Sequence, residues 1–195
     1  MVNEYSIWLL PEAPQQAHLS AIVVALAKRF GTQSFIPHVT IQGDLTGPFD
    51  ALAGAVQDIA NEQTAQHWPV ARIDSSEHFF RSLYARFDEY PAYLSMQQSM
   101  QRLSCTAVGL SLFPHLSLAY GLTDAQKTTA LFTELQQAFS GPLHFDRLVI
   151  ARSSKNVPIA DWECLAEFVL AGDKLEKNEI RIHFSPQTPH TDEPR

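Results

Sequence analysis

An imidazole and a hydroxyl side chain stand two residues apart in two closely matched settings. The stretch Phe35-Ile36-Pro37-His38-Val39-Thr40-Ile41 returns as Phe113-Pro114-His115-Leu116-Ser117-Leu118. In each, the polar residues at i and i+2 alternate with apolar ones, the period of a half-buried strand, so both polar groups face one side. Pro37 and Pro114 lack an N–H and bias the preceding residue towards extended backbone, so each copy is expected to begin a strand. Imidazole titrates near neutrality and can carry a proton; a hydroxyl can hydrogen-bond a phosphoryl oxygen. Presented twice, the pair supplies an acid, a base and two oxyanion contacts.

His-x-Ser/Thr is a weak signal by itself. Eight His and 26 Ser or Thr in 195 residues give an expectation of about one chance match, and four occur. His18-Leu19-Ser20 lies at the start of an amphipathic helix, where residues two apart point to different sides. His183-Phe184-Ser185 lies in a polar C-terminal stretch with Pro186 after it rather than a proline before it. Only His38/Thr40 and His115/Ser117 combine strand context with a preceding Pro. One such histidine would most simply be a core residue bonded to backbone; two at equivalent positions point to a site. A metal centre needs three or four converging ligands, commonly including a carboxylate or Cys, and none stands out beside these histidines, so neither metal nor another cofactor is expected.

The elements that must position these groups follow from periodicity. Tyr5 to Leu10 is strand-like, and Leu19, Ile22, Val23, Leu26 and Phe30 mark a helix ending at Gly31. After the first motif strand, Gly43-Asp44 and Gly47-Pro48 precede a helix on Phe49, Leu52, Val56 and Ile59, and Trp68 to Ser75 reads as a strand. A strand at about 82–87, a helix carrying Tyr93, Met96, Met100 and Leu103, and the second motif strand at 114–120 follow. Thr123-Asp124-Ala125-Gln126 has the form of a capping box and is expected to open a helix carrying Thr128, Leu131, Phe132, Leu135 and Phe139. Strands at Leu143 to Arg152 and Trp162 to Leu170 complete the pattern. Residues 5–75 thus read β-α-β-α-β, and residues 82–152 repeat it. The 77-residue offset between His38 and His115 also carries Ser6 to Leu83, Phe49 to Gln126 and Trp68 to Phe145. This is an internal duplication, and a repeat of that length suits two lobes related by a pseudo-twofold axis across a cleft. Residues 1–171 are expected to form one bilobal domain, and residues 172–195 a polar tail.

Composition narrows the functional classes. With 45% hydrophobic and 18% charged residues, the chain is an ordinary globular sequence, long enough for a proper core. A formal charge of −7 and a pI near 5.5 argue against a surface that tracks long nucleic acid, while permitting a small nucleotide in a local pocket. No basic and apolar leader precedes the first strand, and nowhere are there about 18 consecutive apolar residues, so a cytoplasmic protein without a membrane segment is expected. Cys105 and Cys164 have no metal-site spacing and read as buried or incidental thiols. Trp8, Tyr84, Phe79 and Phe87 could include a base-stacking platform, although core packing is the commoner role of strand aromatics. Arg72, Arg86, Arg152 and Lys155 are candidate phosphate contacts, although surface charge is the commoner role of such residues.

With both motifs and the duplication in view, residues 3–170 resemble the two-histidine phosphoesterases, and within them the cyclic nucleotide phosphodiesterase branch. The resemblance implies an α+β fold with an antiparallel sheet in each lobe, helices outside and the motifs lining a central cleft. It implies metal-independent hydrolysis of small cyclic phosphodiesters, such as nucleoside 2′,3′-cyclic phosphates or ADP-ribose 1″,2″-cyclic phosphate, with His38 and His115 catalytic and Thr40 and Ser117 binding substrate. That branch also places a Tyr after the second motif, which here is Tyr120. Five residues beyond His115, Tyr120 would face away on an ideal strand, so its role requires a twist or bulge before Gly121. A related branch acts on RNA ends and usually continues the second motif with a basic residue; Leu118-Ala119-Tyr120 and the acidic charge favour the small substrate over RNA ends. A free His titrates near pH ~6.5, so one imidazole is expected to be neutral and its partner protonated at little cost. A non-catalytic nucleotide- or RNA-binding module is the alternative, disfavoured by the intact His and hydroxyl in both copies. The acidic balance does not force self-association, and a monomer is expected.

Overall fold

The computed structural model describes residues 4–88, 90–139, 141–171 and 181–182. The chain runs β1 (Glu4–Pro11), α1 (Ala13–Phe30), β2 (Val39–Thr46), α2 (Phe49–Glu62), β3 (Gln66–Trp68), β4 (Arg72–Ser75), β5 (Leu83–Arg86), α3 (Pro91–Ser104), β6 (His115–Ala119), α4 (Thr129–Ala138), β7 (Leu143–Arg152), β8 (Glu163–Val169) and β9 (Arg181–Ile182). Among the described residues, every strand pair is antiparallel, in one sheet ordered β4-β5-β6-β2-β1-β7-β8-β9 with β3 pairing β7. This is the expected α+β architecture, with the duplication written into its register. β2 and β6 meet through the single pair Val39↔Leu116, and these two residues are equivalent under the 77-residue offset. An antiparallel pair of equivalent residues places the pseudo-twofold axis between them.

Two features of the sheet exceed what the repeat implies. The stretch expected as one strand over Trp68 to Ser75 is two: β3 pairs with β7, whereas β4 pairs with β5. Pro69 breaks the run, since it has no N–H to give a ladder. The last strand of each repeat also crosses over: β4, from the first repeat, pairs with β5, while β7, from the second, pairs with β1. Each half of the sheet therefore holds strands from both repeats, which ties the halves together covalently as well as by packing.

Alternation sorts the side chains by face. On β1, Tyr5, Ile7 and Leu9 join the main core with Val39, Ile41, Leu116 and Leu118, whereas Trp8 and Leu10 lie on the other face with Val149 and Ala151. Helices cover the first face, with α1 supplying Leu19 and Leu26, α2 Val56 and Ile59, α3 Tyr93, Met96 and Met100, and α4 Leu131 and Leu135. Burying such side chains contributes roughly 1.5–3 kcal/mol each. The opposite face is left for the cleft.

Helix ends follow local chemistry with one correction. Gly31 ends α1 in the left-handed conformation, at φ +67, as its position predicts. The capping box at Thr123 closes a single 3₁₀ turn, Asp124–Gln126, rather than opening α4; that helix starts after Thr128, whose hydroxyl accepts from Leu131 N at 3.3 Å. Two hydroxyl caps compete within six residues, and the one beside the apolar-periodic run governs the long helix. His18 is exposed on α1 and takes no part in the cleft. The tail expected over 172–195, including His183, lies outside the described residues apart from Arg181–Ile182, which add a short strand to the β8 edge.

Candidate active site

The motif strands carry the same irregularity at the same place. Opposite β1, the register steps from Trp8↔Thr40 to Ile7↔Gln42, leaving Ile41 as an extra residue; opposite β5 it steps from Tyr84↔Ser117 to Leu83↔Ala119, leaving Leu118 as the extra. Ile41 and Leu118 are equivalent positions, so the duplication includes a bulge just beyond each His-x-Thr/Ser. A bulge turns the following residues over, as one extra residue shifts a period-two pattern by one face. Tyr120 therefore reaches the cleft that His115 faces, in the way its assignment required, and Gly43 occupies the equivalent position in the first repeat.

His38, Thr40, His115 and Ser117 line one cleft of about 470 Å³, together with Trp8, Phe80, Arg81, Tyr120 and Trp162. The strands meet at Val39↔Leu116, each the residue between a motif His and its hydroxyl, so the two motifs lie side by side. Both rings are fixed by one device. Nδ1–H of His38 donates to Ile36 O at 2.6 Å and that of His115 to Phe113 O at 3.1 Å, each the carbonyl of the residue before proline. A carbonyl can only accept, so the proton sits on Nδ1 and the lone pair of Nε2 is left for the cleft. Trp8 stacks on His38 with centroids 3.9 Å apart and planes 11° apart, while Ser111 Oγ lies 3.3 Å from Nδ1 of His115.

Burial changes the charge expected of these groups. His38 is only 7% exposed, and desolvation lowers its pKa to about 4 against the help of its carbonyl bond. Burial likewise lowers His115 to about 4, with Arg81 and Arg86 adding to the effect. The expectation of one charged and one neutral imidazole at little cost is therefore corrected: burial favours the neutral form of both at neutral pH. Burial pushes the Tyr120 phenol up, so it remains a donor, and it hydrogen-bonds with Ser117. Ser117 Oγ also donates to Phe80 O at 2.9 Å.

Aromatic rings from both halves close one side. Phe35 stacks on Tyr120 at 3.8 Å, and Phe80 faces Trp162 at 5.9 Å with planes 29° apart. Of the four aromatic candidates, Trp8 and Phe79 line the cleft, while Tyr84 and Phe87 are buried. Of the four cations, only Lys155 lines it; Arg72 pairs with Asp74 at 3.1 Å, Arg152 with Glu163 at 3.0 Å, and Arg86 lies over the Phe113 ring. Sequence reasoning missed Phe80, Arg81 and Trp162. The duplication could not flag Phe80 and Arg81, because their repeat equivalents are Asn3 and Glu4, and Trp162 falls after both repeats. Cys105 and Cys164 are free thiols, the former exposed. Among the described residues no cluster of three His, Cys, Asp or Glu could hold a metal ion, and no helix is long and apolar enough to cross a membrane.

No family model matches the chain. A curated relative, the cyclic phosphodiesterase of Arabidopsis thaliana, is 23% identical over 168 residues, which are 83% of this chain and 92% of that protein. Among solved structures, Escherichia coli LigT in apo form aligns with a TM-score of 0.57 at 8% identity, covering 86% of this chain and 97% of that one. LigT complexed with 3′-AMP gives 0.57 at 9% identity, covering 87% and 99%, and TT0787 of Thermus thermophilus gives 0.56 at 15%, covering 89% and 100%. At these identities the solved structures speak for the fold. In motif and fold together, the chain is similar to these proteins over most of its length and of theirs.

Proposed function

We propose that this protein hydrolyses small cyclic phosphodiesters, nucleoside 2′,3′-cyclic phosphates or ADP-ribose 1″,2″-cyclic phosphate, without a metal ion. The observation that carries the reading is the pair of imidazoles on either side of a pseudo-twofold axis, each anchored through Nδ1 and each offering Nε2 to one cleft. One Nε2 takes a proton from water as its oxygen attacks phosphorus in line. The other donates a proton to the departing sugar oxygen as the P–O bond breaks, leaving a phosphomonoester. Each proton transfer is worth typically ~10²–10⁴ in rate. The acid must be charged before it can act, and the substrate supplies the reason: a phosphodiester anion between two imidazoles held at about 4 favours proton uptake by one of them. Thr40 and the Tyr120 phenol donate to the non-bridging oxygens as charge grows there, and Ser117 joins them by turning its one hydroxyl hydrogen away from Phe80 O, in a cleft whose aromatic wall limits water. Phe80 and Trp162, packed face to face on one side of the cleft, form the natural wall for a base.

The wall composition favours a small substrate over RNA ends, because Tyr120 stands where a cation would follow the second motif, and over a mere binding module, which would need no matched anchoring of two imidazoles. The test is hydrolysis of adenosine 2′,3′-cyclic phosphate in EDTA, with His38→Ala/His115→Ala alongside and the product isomer identified. Wild-type turnover that the double variant lacks supports the reading. Turnover abolished by chelator, or retained by the double variant, overturns it.

A further inference from the structure

Neutral imidazoles cannot by themselves hold an anion in place, and fixed positive charge is scarce in this acidic chain. Two side chains with fixed positive charge, Arg81 and Lys155, line the cleft. Lys155 shares its charge with the Glu4 carboxylate, whose pKa it helps to lower. Arg81 makes no ion pair among the described residues, whereas Arg29, Arg72, Lys127, Arg147 and Arg152 each do.

The backbone holding Arg81 is locked to the second motif strand. Arg81 ends the 3₁₀ turn Phe79–Arg81, closed by its own N–H donating to His78 O at 3.0 Å. Its carbonyl accepts from Ser76 Oγ at 2.6 Å. The carbonyls of the two residues before it are taken by β6 and the residues after it: Phe80 O by Ser117 Oγ, and Phe79 O by Gly121 N at 3.0 Å. The guanidinium lies 5.0 Å over the Phe113 ring, two residues from His115, near enough to lower that imidazole's affinity for a proton. Its Nε is buried without a hydrogen-bond partner. A buried donor left unsatisfied is costly, and an Arg fork matches phosphate oxygens bidentately.

We propose that Arg81 is the phosphate-binding residue of this cleft, its Nε and a terminal N–H donating to the non-bridging oxygens on the His115 side and so placing phosphorus between the two imidazoles. The proposal rests on the phosphodiester reading above and adds the cation that reading lacks. It is tested by titrating wild type, Arg81→Met and Arg81→Lys with inorganic phosphate and, separately, with adenosine, following the fluorescence of Trp8 and Trp162 in the cleft, and by measuring kcat and KM on adenosine 2′,3′-cyclic phosphate across pH. Arg81→Met is expected to lose about 10–100-fold in phosphate affinity, the size of a hydrogen bond to a charged group, with an equal or larger fall in kcat/KM. Adenosine binding should be unaltered, Arg81→Lys should recover part of the loss, and the acid limb of kcat/KM should move to higher pH as His115 is relieved of a neighbouring cation. Unchanged phosphate affinity and KM in Arg81→Met, beside an active wild type, would overturn the proposal and leave the function standing. Equal loss of adenosine binding in both variants would show a structural role and overturn it too. A wild type that neither binds phosphate nor turns over cyclic substrates would sink both readings together.

Discussion

Replacing His38 by Gln removes a buried titrating group while keeping a side chain of similar reach, and its effect on stability against pH can be worked out. His38 titrates at about 4 in the folded protein and 6.5 is the ordinary value, so between those two pH values the unfolded chain binds more protons than the folded one. Stability therefore rises with pH through that window and falls as the solution is acidified from 6.5 towards 4. With 1.36 kcal/mol per pKa unit, this one histidine costs the folded state about 2 kcal/mol on going from pH 7 to pH 5. Urea unfolding of wild type and His38→Gln at pH 7 and pH 5 measures the difference. The wild type should lose about 2 kcal/mol more than the variant over that interval. Equal losses would refute the claim that burial holds this imidazole neutral, and with it the inference that substrate must supply the charge on the catalytic acid. The same proton uptake has a binding signature: sulfate, which keeps its charge over this range, should bind about tenfold more tightly for each pH unit below neutrality.

His38→Ala and His115→Ala should each reduce kcat by at least ~10², whereas Thr40→Ala and Ser117→Ala should retain measurable turnover, as steady-state kinetics on adenosine 2′,3′-cyclic phosphate would show. The limbs of the kcat profile should lie at higher pH than those of kcat/KM, because kcat reports the imidazoles with an anion between them. Gly109→Ala should destabilise the fold by about 2 kcal/mol or more in thermal unfolding: φ there is +76, and an added Cβ would stand 1.9 Å from Gly43 O. Since Gly43 N donates to Gly109 O at 2.9 Å beside the cleft, the same substitution should also raise KM. Thr128→Ala should cost about 1 kcal/mol by removing the α4 cap, with activity unaltered.

The placement of Tyr120 shows where local pattern ends. Alternation counted from His115 puts it on the wrong face, and only the extra residue Leu118 in the β5–β6 register turns it to the cleft. A bulge is invisible to a period-two pattern because it is defined by the partner strand, and here the partner is reached only after α3 and a long loop. Buried amides hold that loop: Gln42 Nε2 donates to Thr106 O and Val108 O, and Gln97 Nε2 to Ile41 O and Ser111 O. Neither glutamine stands out in the sequence, since a polar residue signals its role only once its burial is known.

The sequence alone determined the duplication, the four helices, the motif strands and the pair of histidines that share one cleft, because each rests on spacing between residues close in the chain or on similarity between two copies of it. Tertiary structure alone decided which strand each repeat gives to the other, the neutral state of both histidines, and the recruitment of Phe80, Arg81 and Trp162. These depend on which groups share a dehydrated space, and that is settled by sheet register between segments far apart in the chain, as Tyr5 paired with Arg152 shows, rather than by any residue's immediate neighbours.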